Sequence, residues 1–444
     1  MKVLIVNTSR DAGGAAVAAR RLMEALTRNG AYARMLVRDA SPHDGGKDTP
    51  AAQWTAEGGV SRLPCKWMGW WHFLWERLQL FGWLRFRREH LFDIDAALSG
   101  NDITRMRLFR EADVIHLHWV NQGMLSLRDL RKIIRSGKAV VWTMHDAWPA
   151  TALCHLTLGC RQFTSQCRQC HYLPPKGQHP LLFTLQSAWL ERVWRRKRQL
   201  LRNSDITFVA CSRWLEGEAK ASAMLRGLNI VSIPNPIDTR VFCPGSRQEA
   251  RAQEGLPEGQ RLVLFVCQRL TNAYKGGEYL MEALRHLTDE HPDMKEETTV
   301  VLLGSHAEEM AAQMPLPAIA VGYVADEQRM VRLYRSADTF VLPSLSENLP
   351  NTIMEAMACG VPCLGFRVGG IPEEIDHRRN GYVAAYKDSR DLARGLRWLL
   401  YEADRQAMAE ECVKKVERCY SQRAVAVKYT EVYQQALAHK HFAI

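Results

Sequence analysis

Short apolar runs alternate with longer stretches of mixed polarity along the whole of this chain. Met1-Lys2-Val3-Leu4-Ile5-Val6-Asn7, Val114-Ile115-His116-Leu117-His118-Trp119 and Ala139-Val140-Val141-Trp142-Thr143-Met144 read as strands in the first half. Leu262 to Cys267, Val301-Leu302-Leu303-Gly304 and Thr339 to Pro343 do so in the second. Between them lie segments with helical spacing: Ala15 to Arg28, stopped by Asn29-Gly30, then Ser389 to Glu402 and Gln422 to Ala438. Strand and helix therefore alternate in each half, as expected of a doubly wound parallel sheet. No internal repeat of fixed period and no low-complexity tract interrupts the alternation.

The segment Ser344 to Phe366 carries the densest chemistry. It reads as strand, loop, helix, strand, with Glu347 in the loop, Asn351 at the helix start after Pro350, Glu355 inside the helix, and Gly360-Val361-Pro362 closing it. A helix start offers free N–H groups to an anion, and carboxylates beside it can accept from sugar hydroxyls. Two glutamates alone could equally be solvated surface charges. Upstream, however, the strand ending at Cys267 leads to Arg269, and Lys275-Gly276-Gly277 opens the next helix. A guanidinium fork and a mobile ammonium suit the charge that builds on a departing nucleoside diphosphate.

Taken together, Gly13-Gly14-Ala15, His145-Asp146, Ile233-Pro234-Asn235-Pro236-Ile237-Asp238, Arg269 with Lys275-Gly276, and Glu347 to Glu355 resemble the retaining glycosyltransferases of family 4. The resemblance runs over essentially the whole chain, with the more specific motifs in the carboxy-terminal half. It departs at Asn348, where the family more often has Phe or Gly, and that bears on donor-sugar identity. The resemblance implies a GT-B fold: two Rossmann-like doubly wound domains facing across a cleft, with a C-terminal helix crossing back to the first domain. It assigns catalysis to Arg269, Lys275, Glu347 and His145, and donor binding to Gly13, Gly14, Asn351 and Glu355, with Glu355 toward the nucleotide ribose and Glu347 toward hydroxyls of the sugar. Glycines in the first turn are also needed for steric reasons, and His145 could be a capping or core histidine. For His116 and His118, which alternate with apolar residues in a strand, the core reading is the stronger.

Length agrees with two domains. At 444 residues, 47% hydrophobic and 24% charged, the chain exceeds one ordinary core. The expected division is an acceptor-binding domain 1–232, a nucleotide-sugar-binding domain 233–420 after a proline-rich hinge, and a terminal helix 421–444. With no secretory pattern and no apolar stretch of about 20 residues, the expected location is cytoplasmic, or peripheral on the inner face of the plasma membrane. Charge is uneven: residues 1–230 hold 34 Lys and Arg against 19 Asp and Glu, net +15, whereas the remainder is net −4. Within the basic half, Lys66 to Arg77 supplies four tryptophans, continuing through Phe81, Trp83 and Arg85 to Arg88, and Trp189 to Arg202 adds a second cluster. Aromatics interleaved with cations suit an anionic membrane surface, and an internal helical hairpin is the alternative. No nucleic-acid recognition module accompanies the charge.

Four of the 12 cysteines, Cys154, Cys160, Cys167 and Cys170, crowd together and end in a C-x-x-C. In a reducing compartment such thiolates are candidate ligands for a structural zinc, with His155 and His171 as substitutes, and four independent loop thiols are the plainer alternative. No catalytic metal is expected. The reading is therefore a retaining hexosyltransferase that uses a UDP- or GDP-linked sugar and a saccharide or lipid-linked saccharide acceptor of a surface polysaccharide. A non-catalytic nucleotide-sugar-binding protein and a GT-B-type epimerase are the competing classes, and a glycosidase pair is disfavoured by the accompanying phosphate-binding cations.

Overall fold

The computed structural model describes residues 1–39, 54, 59–173, 180–202 and 204–441. Its strands form two sheets, parallel throughout, each inside its own compact unit. One unit comprises Met1–Pro236 with Val425–Ile444, and the other Ile237–Ala424.

The first sheet runs in the order β3-β2-β1-β4-β5-β6-β7. Its strands are β1 (Lys2–Ser9), β2 (Tyr32–Asp39), β3 (Val60–Arg62), β4 (Val114–Leu117), β5 (Ala139–Met144), β6 (Thr207–Ala210) and β7 (Asn229–Ser232). The apolar runs have a simple cause in β1. Leu4 and Val6 point into one core, and Val3 and Ile5 into another on the opposite face, so no position is left for a polar residue. The second core is closed by the helix Gly14–Arg28 and by Val425, Tyr429 and Tyr433 of the terminal helix Gln422–His441.

The second sheet runs β10-β9-β8-β11-β12-β13. Its strands are β8 (Arg261–Arg269), β9 (Thr298–Ser305), β10 (Ala318–Gly322), β11 (Thr339–Leu342), β12 (Cys363–Phe366) and β13 (Gly381–Ala384). In both sheets the chain starts in the middle, builds outward to one edge, then returns to build toward the other. The reversal falls between β1 and β4 in the first sheet and between β8 and β11 in the second. Loops leaving the carboxyl ends of the strands diverge at such a point and leave a crevice.

Two sequence expectations change here. The strand read as Val114 to Trp119 ends at Leu117, because Trp119 leaves the ladder to receive a hydrogen bond from Thr8 N at its carbonyl, 2.8 Å. The cluster Trp189 to Arg202 is not wholly a surface feature. Within the helix Pro180–Arg202, Trp194 and Lys197 are buried. The Lys197 ammonium donates to the Thr151 carbonyl at 3.1 Å and lies 3.2 Å from the Trp148 ring centroid. Burial pulls its pKa down to about 7.

Candidate functional site

The reversal in the second sheet gathers most of the candidate residues. β8 ends at Arg269, which is exposed and whose Nε donates to Thr271 Oγ1 at 3.0 Å. A single turn, Ala273–Lys275, follows. Asn272 Oδ1 caps it by accepting from Tyr274 N, 3.0 Å. Gly276 then takes φ 72° and lies against the end of β11, where an added Cβ would meet the Pro343 carbonyl oxygen at 1.8 Å. Leu345 N donates to the Tyr274 carbonyl at 2.8 Å, so the loops after β8 and β11 are stitched together.

That stitching places Lys275 Nζ 2.5 Å from Glu347 Oε1. Burial pulls the Lys275 ammonium down, and Glu347, by charge and hydrogen bond, more than reverses the effect. The loop after β12 closes the third side. Gly369, at φ 56°, passes so near Glu347 that a Cβ would lie 1.7 Å from its carbonyl oxygen. Gly370 N donates to the Asn348 carbonyl at 2.7 Å. Glycine is required at both close approaches, since any side chain would collide with backbone.

The helix Asn351–Ala358 starts at Asn351, directly after Pro350. Glu355, one turn further on, is buried, and its Oε2 accepts from Tyr334 Oη at 2.8 Å. The sequence brought out Arg269, Lys275, Glu347, Asn351 and Glu355; Arg269 is the last residue of β8, and the other four lie in the turn, loop and helix beyond the carboxyl ends of β8 and β11. It missed Tyr334, buried on the inner side of the helix Glu327–Ser336, and the pair Gly369-Gly370, whose turn signal before Ile371-Pro372 was there to be read. It also missed Glu374, at 0% exposure, both of whose carboxyl oxygens are without a hydrogen-bond partner. Burial pushes this carboxyl well up, and the charge of Glu347 adds to the effect, so it is held neutral.

Gly13, Gly14 and His145 belong to the other unit, the glycines following β1 at its reversal and His145 following β5, the next strand beyond β4. Gly13 precedes the helix that Gly14 opens. His145 follows β5, with Nε2 2.8 Å from His118 Nδ1 and Nδ1 3.5 Å from Cys211 Sγ. Beside it, Asp146 accepts from Trp119 Nε1 at 2.9 Å, pairs with His155 Nδ1 at 2.7 Å, and accepts from Trp148 N at 2.9 Å. His116 completes the row, between Thr143 Oγ1 at 2.7 Å and Tyr433 Oη at 2.7 Å. Burial lowers His116 to about 3, lowers His118 well below its ordinary value, and lowers His145 to about 4 against the opposing charge of Asp146. All three rings are neutral at pH 7.

The zinc expectation finds no coordination geometry. Among the described residues, which include Cys154, Cys160, Cys167 and Cys170, no group of three or more His, Cys, Asp or Glu is placed to hold a metal ion. All four thiols are free; Cys160 is half-buried, the half-buried Cys167 and Cys170 pack against the apolar core, and Cys154 is buried in that same core. Its backbone pairs with Ile94, and its carbonyl accepts from Thr151 Oγ1 at 2.7 Å, so the peptide is held by the core. Burial raises the Cys170 thiol to about 11 and also raises Cys154 and Cys167, and the neighbouring cysteine sulfurs add to the effect.

The family model described as Glycosyltransferase Family 4 matches residues 12–241, more than half of the chain. The chain belongs to glycosyltransferase family 4. A second model, described as Glycosyl transferases group 1, matches residues 260–402. Among curated relatives, D-inositol 3-phosphate glycosyltransferase 2 of Catenulispora acidiphila is 30% identical over 221 residues, 47% of this chain and 51% of that protein. The D-inositol 3-phosphate glycosyltransferase of Corynebacterium aurimucosum is 26% identical over 364 residues, 77% of this chain and 76% of its own. Matches to the first such relatives span about half of their length. The fold is shared with sucrose-phosphate synthase of Thermosynechococcus elongatus, at TM-score 0.67 and 19% identity over 99% of both chains. It is shared too with Anabaena HepE, solved in complex with UDP-glucose, at TM-score 0.61 and 15% identity over 98% of this chain and 100% of that one. The family 4 chain thus has the GT-B fold.

Proposed function

We propose that this family 4 chain moves a hexose from a nucleoside-diphosphate sugar to an acceptor hydroxyl with retention at the anomeric carbon, and that the acceptor is a lipid-linked saccharide of a surface polysaccharide. The observation that carries the reading is the Lys275–Glu347 pair beside Arg269, at the reversal between β8 and β11 and next to the start of the helix Asn351–Ala358. Arg269, Lys275 and the helix start supply the positive potential on which a diphosphate leaves. Glu347 keeps one carboxylate oxygen for hydroxyls of the sugar, and Glu355 accepts from the ribose. The bond from the anomeric carbon to the phosphate oxygen breaks as the bond to the acceptor oxygen forms on the same face, and the acceptor proton passes to a phosphate oxygen. The cations and carboxylates gathered in this site argue against a non-catalytic descendant, and an epimerase has no use for a separate basic unit.

A second reading of the acceptor is a phosphorylated polyol, favoured by the names of the curated relatives and by the basic first half of the chain. One assay separates the two. The protein is incubated with a panel of nucleotide sugars and either lipid extract or D-inositol 3-phosphate, and released nucleoside diphosphate is measured. Release that depends on the lipid extract supports the first acceptor, and release with D-inositol 3-phosphate replaces it. Release with neither removes the transferase reading, and a product of inverted configuration by NMR removes retention.

A further inference from the structure

The helix Lys66–Trp83 is built inside out. Its inner side buries Glu76 and Arg77 together with Gly69 and Leu80. Arg77 Nη2 donates to Asp95 Oδ2 at 2.8 Å and Nη1 to the Ile94 carbonyl at 3.3 Å, while Glu76 Oε1 accepts from Leu98 N at 3.3 Å. Its outer side carries Trp67, Trp70, Trp71, Leu74, Trp75 and Leu78, all exposed, Trp67 by 74% and Trp71 by 60%. Steps of three and four make these one stripe along three turns. An ordinary surface helix buries such a stripe and exposes its charges. Here Arg77 anchors the helix from inside while Trp67, Trp70, Trp71 and Trp75 stay exposed; the internal hairpin considered from the sequence accounts for Trp83 and Trp189 and not for this stripe.

The surroundings select the partner. Trp83 stacks on Trp189 at 4.6 Å and 16°, and Gln186 Nε2 donates to the Trp83 carbonyl at 2.9 Å, which fastens the helix Pro180–Arg202 with its exposed Arg192, Arg195 and Arg196 alongside. Phe86, 75% exposed, extends the apolar surface on a turn flanked by exposed Arg87 and Arg88. From residue 59 to residue 88 the only acidic side chain is the buried Glu76. Tryptophan bodies amid cations match the headgroup layer of an anionic bilayer, where rings enter the acyl boundary and arginines meet lipid phosphate. A second copy would bring like charges together around the same stripe.

We propose that the helix Lys66–Trp83, with Phe86, docks this chain flat on an anionic phospholipid surface through its tryptophan face, independently of which sugar or acceptor the transfer site takes. The test uses the full chain with phosphatidylcholine vesicles, pure or carrying about 30% phosphatidylglycerol. Cosedimentation should favour the anionic vesicles by at least about 10-fold and weaken as salt is added, with tryptophan emission shifting to the blue. The triple change Trp67→Ser, Trp71→Ser, Trp75→Ser should lower partitioning at least about 10-fold with an unchanged melting temperature, because these rings have no packing role. Arg87→Glu with Arg88→Glu should abolish the preference for anionic lipid. Partitioning of the triple variant equal to that of the parent overturns the proposal. So does a parent dimer in sedimentation equilibrium that the triple variant dissolves, which would assign the stripe to a second copy.

Discussion

The two sheets reverse in the same way and place opposite chemistry at the reversal. In the Ile237–Ala424 unit the crevice keeps charge, with Lys275 held protonated by Glu347 and Arg269 exposed at the mouth. In the Met1–Pro236 unit the carboxyl ends of β4 and β5 carry His118 and His145, stacked and 2.8 Å apart between ring nitrogens, with His116 inside β4 beside them, and burial keeps all three neutral. The topology provides a place and does not provide a function. A few side chains decide whether the place attracts an anion or offers only fixed dipoles.

The contrast breaks most visibly at Lys275. Lys275→Ala should lower kcat/KM of transfer about 100-fold while the melting temperature holds, because a donor aimed at charge building on the diphosphate is lost from a half-exposed position. Wild-type turnover in both Lys275→Ala and Arg269→Ala would leave the charged crevice without a role.

Acid sharpens the comparison next. The folded pKa values of His116 and His145, about 3 and about 4, lie below the ordinary imidazole value of 6.5. The unfolded chain then binds more protons in that window, so the stability they contribute is complete above pH 6.5 and is lost as pH falls toward 4. The melting temperature should drop by several degrees from pH 7 to pH 4.5, and His116→Gln should flatten that slope whatever it does to stability at pH 7. A slope unchanged in His116→Gln would remove the neutral histidine row from the explanation.

Glu374 runs the other way in the charged unit. Its folded pKa is raised well above 4.5, so its contribution is complete below pH 4.5 and is lost as pH rises. Glu374→Gln, which cannot ionise, should melt about 2–4 °C above the parent at pH 8, and the gap should close near pH 4.5. A variant less stable than the parent at pH 8 would mean that the carboxyl is charged and paired.

The smallest effect is expected at Tyr334. Tyr334→Phe removes the hydroxyl that holds Glu355 Oε2, and calorimetry should find nucleoside-diphosphate affinity lowered by about 3- to 10-fold, the equivalent of one hydrogen bond of about 0.5–1.5 kcal/mol. Unchanged affinity in this variant and in Glu355→Gln would take the ribose away from Glu355.

Much of the charged site could be read in the chain because its parts are local. The strand β11, the helix start at Asn351 and the stop at Gly360 lie within 22 residues of one another, and each is written in short-range terms: an apolar run, a proline before a helix, a glycine after it. Arg269 and Lys275 likewise follow directly from the end of β8. What pairs Lys275 with Glu347 is 72 positions of separation closed by two glycines packed on backbone, which no local pattern contains. The orphaned Glu374, the Tyr334 hydroxyl on Glu355 and the histidine row were hidden for the same reason.

By itself the sequence determined the alternation of strand and helix, the parallel sheets and the residue types of the charged loops after β8 and β11, because these depend on neighbours along the chain. Only the tertiary structure decided which charges face water. It turned Glu76, Arg77 and Lys197 inward, where Leu98 N donates to Glu76, Asp95 pairs with Arg77, and backbone carbonyls accept from Arg77 and Lys197, and it left Trp67, Trp70, Trp71 and Trp75 outside. It buried Cys154 in the core, with Cys167 and Cys170 packed against the same cluster. Burial is a property of what packs against a residue from distant parts of the chain, and side-chain polarity only biases it.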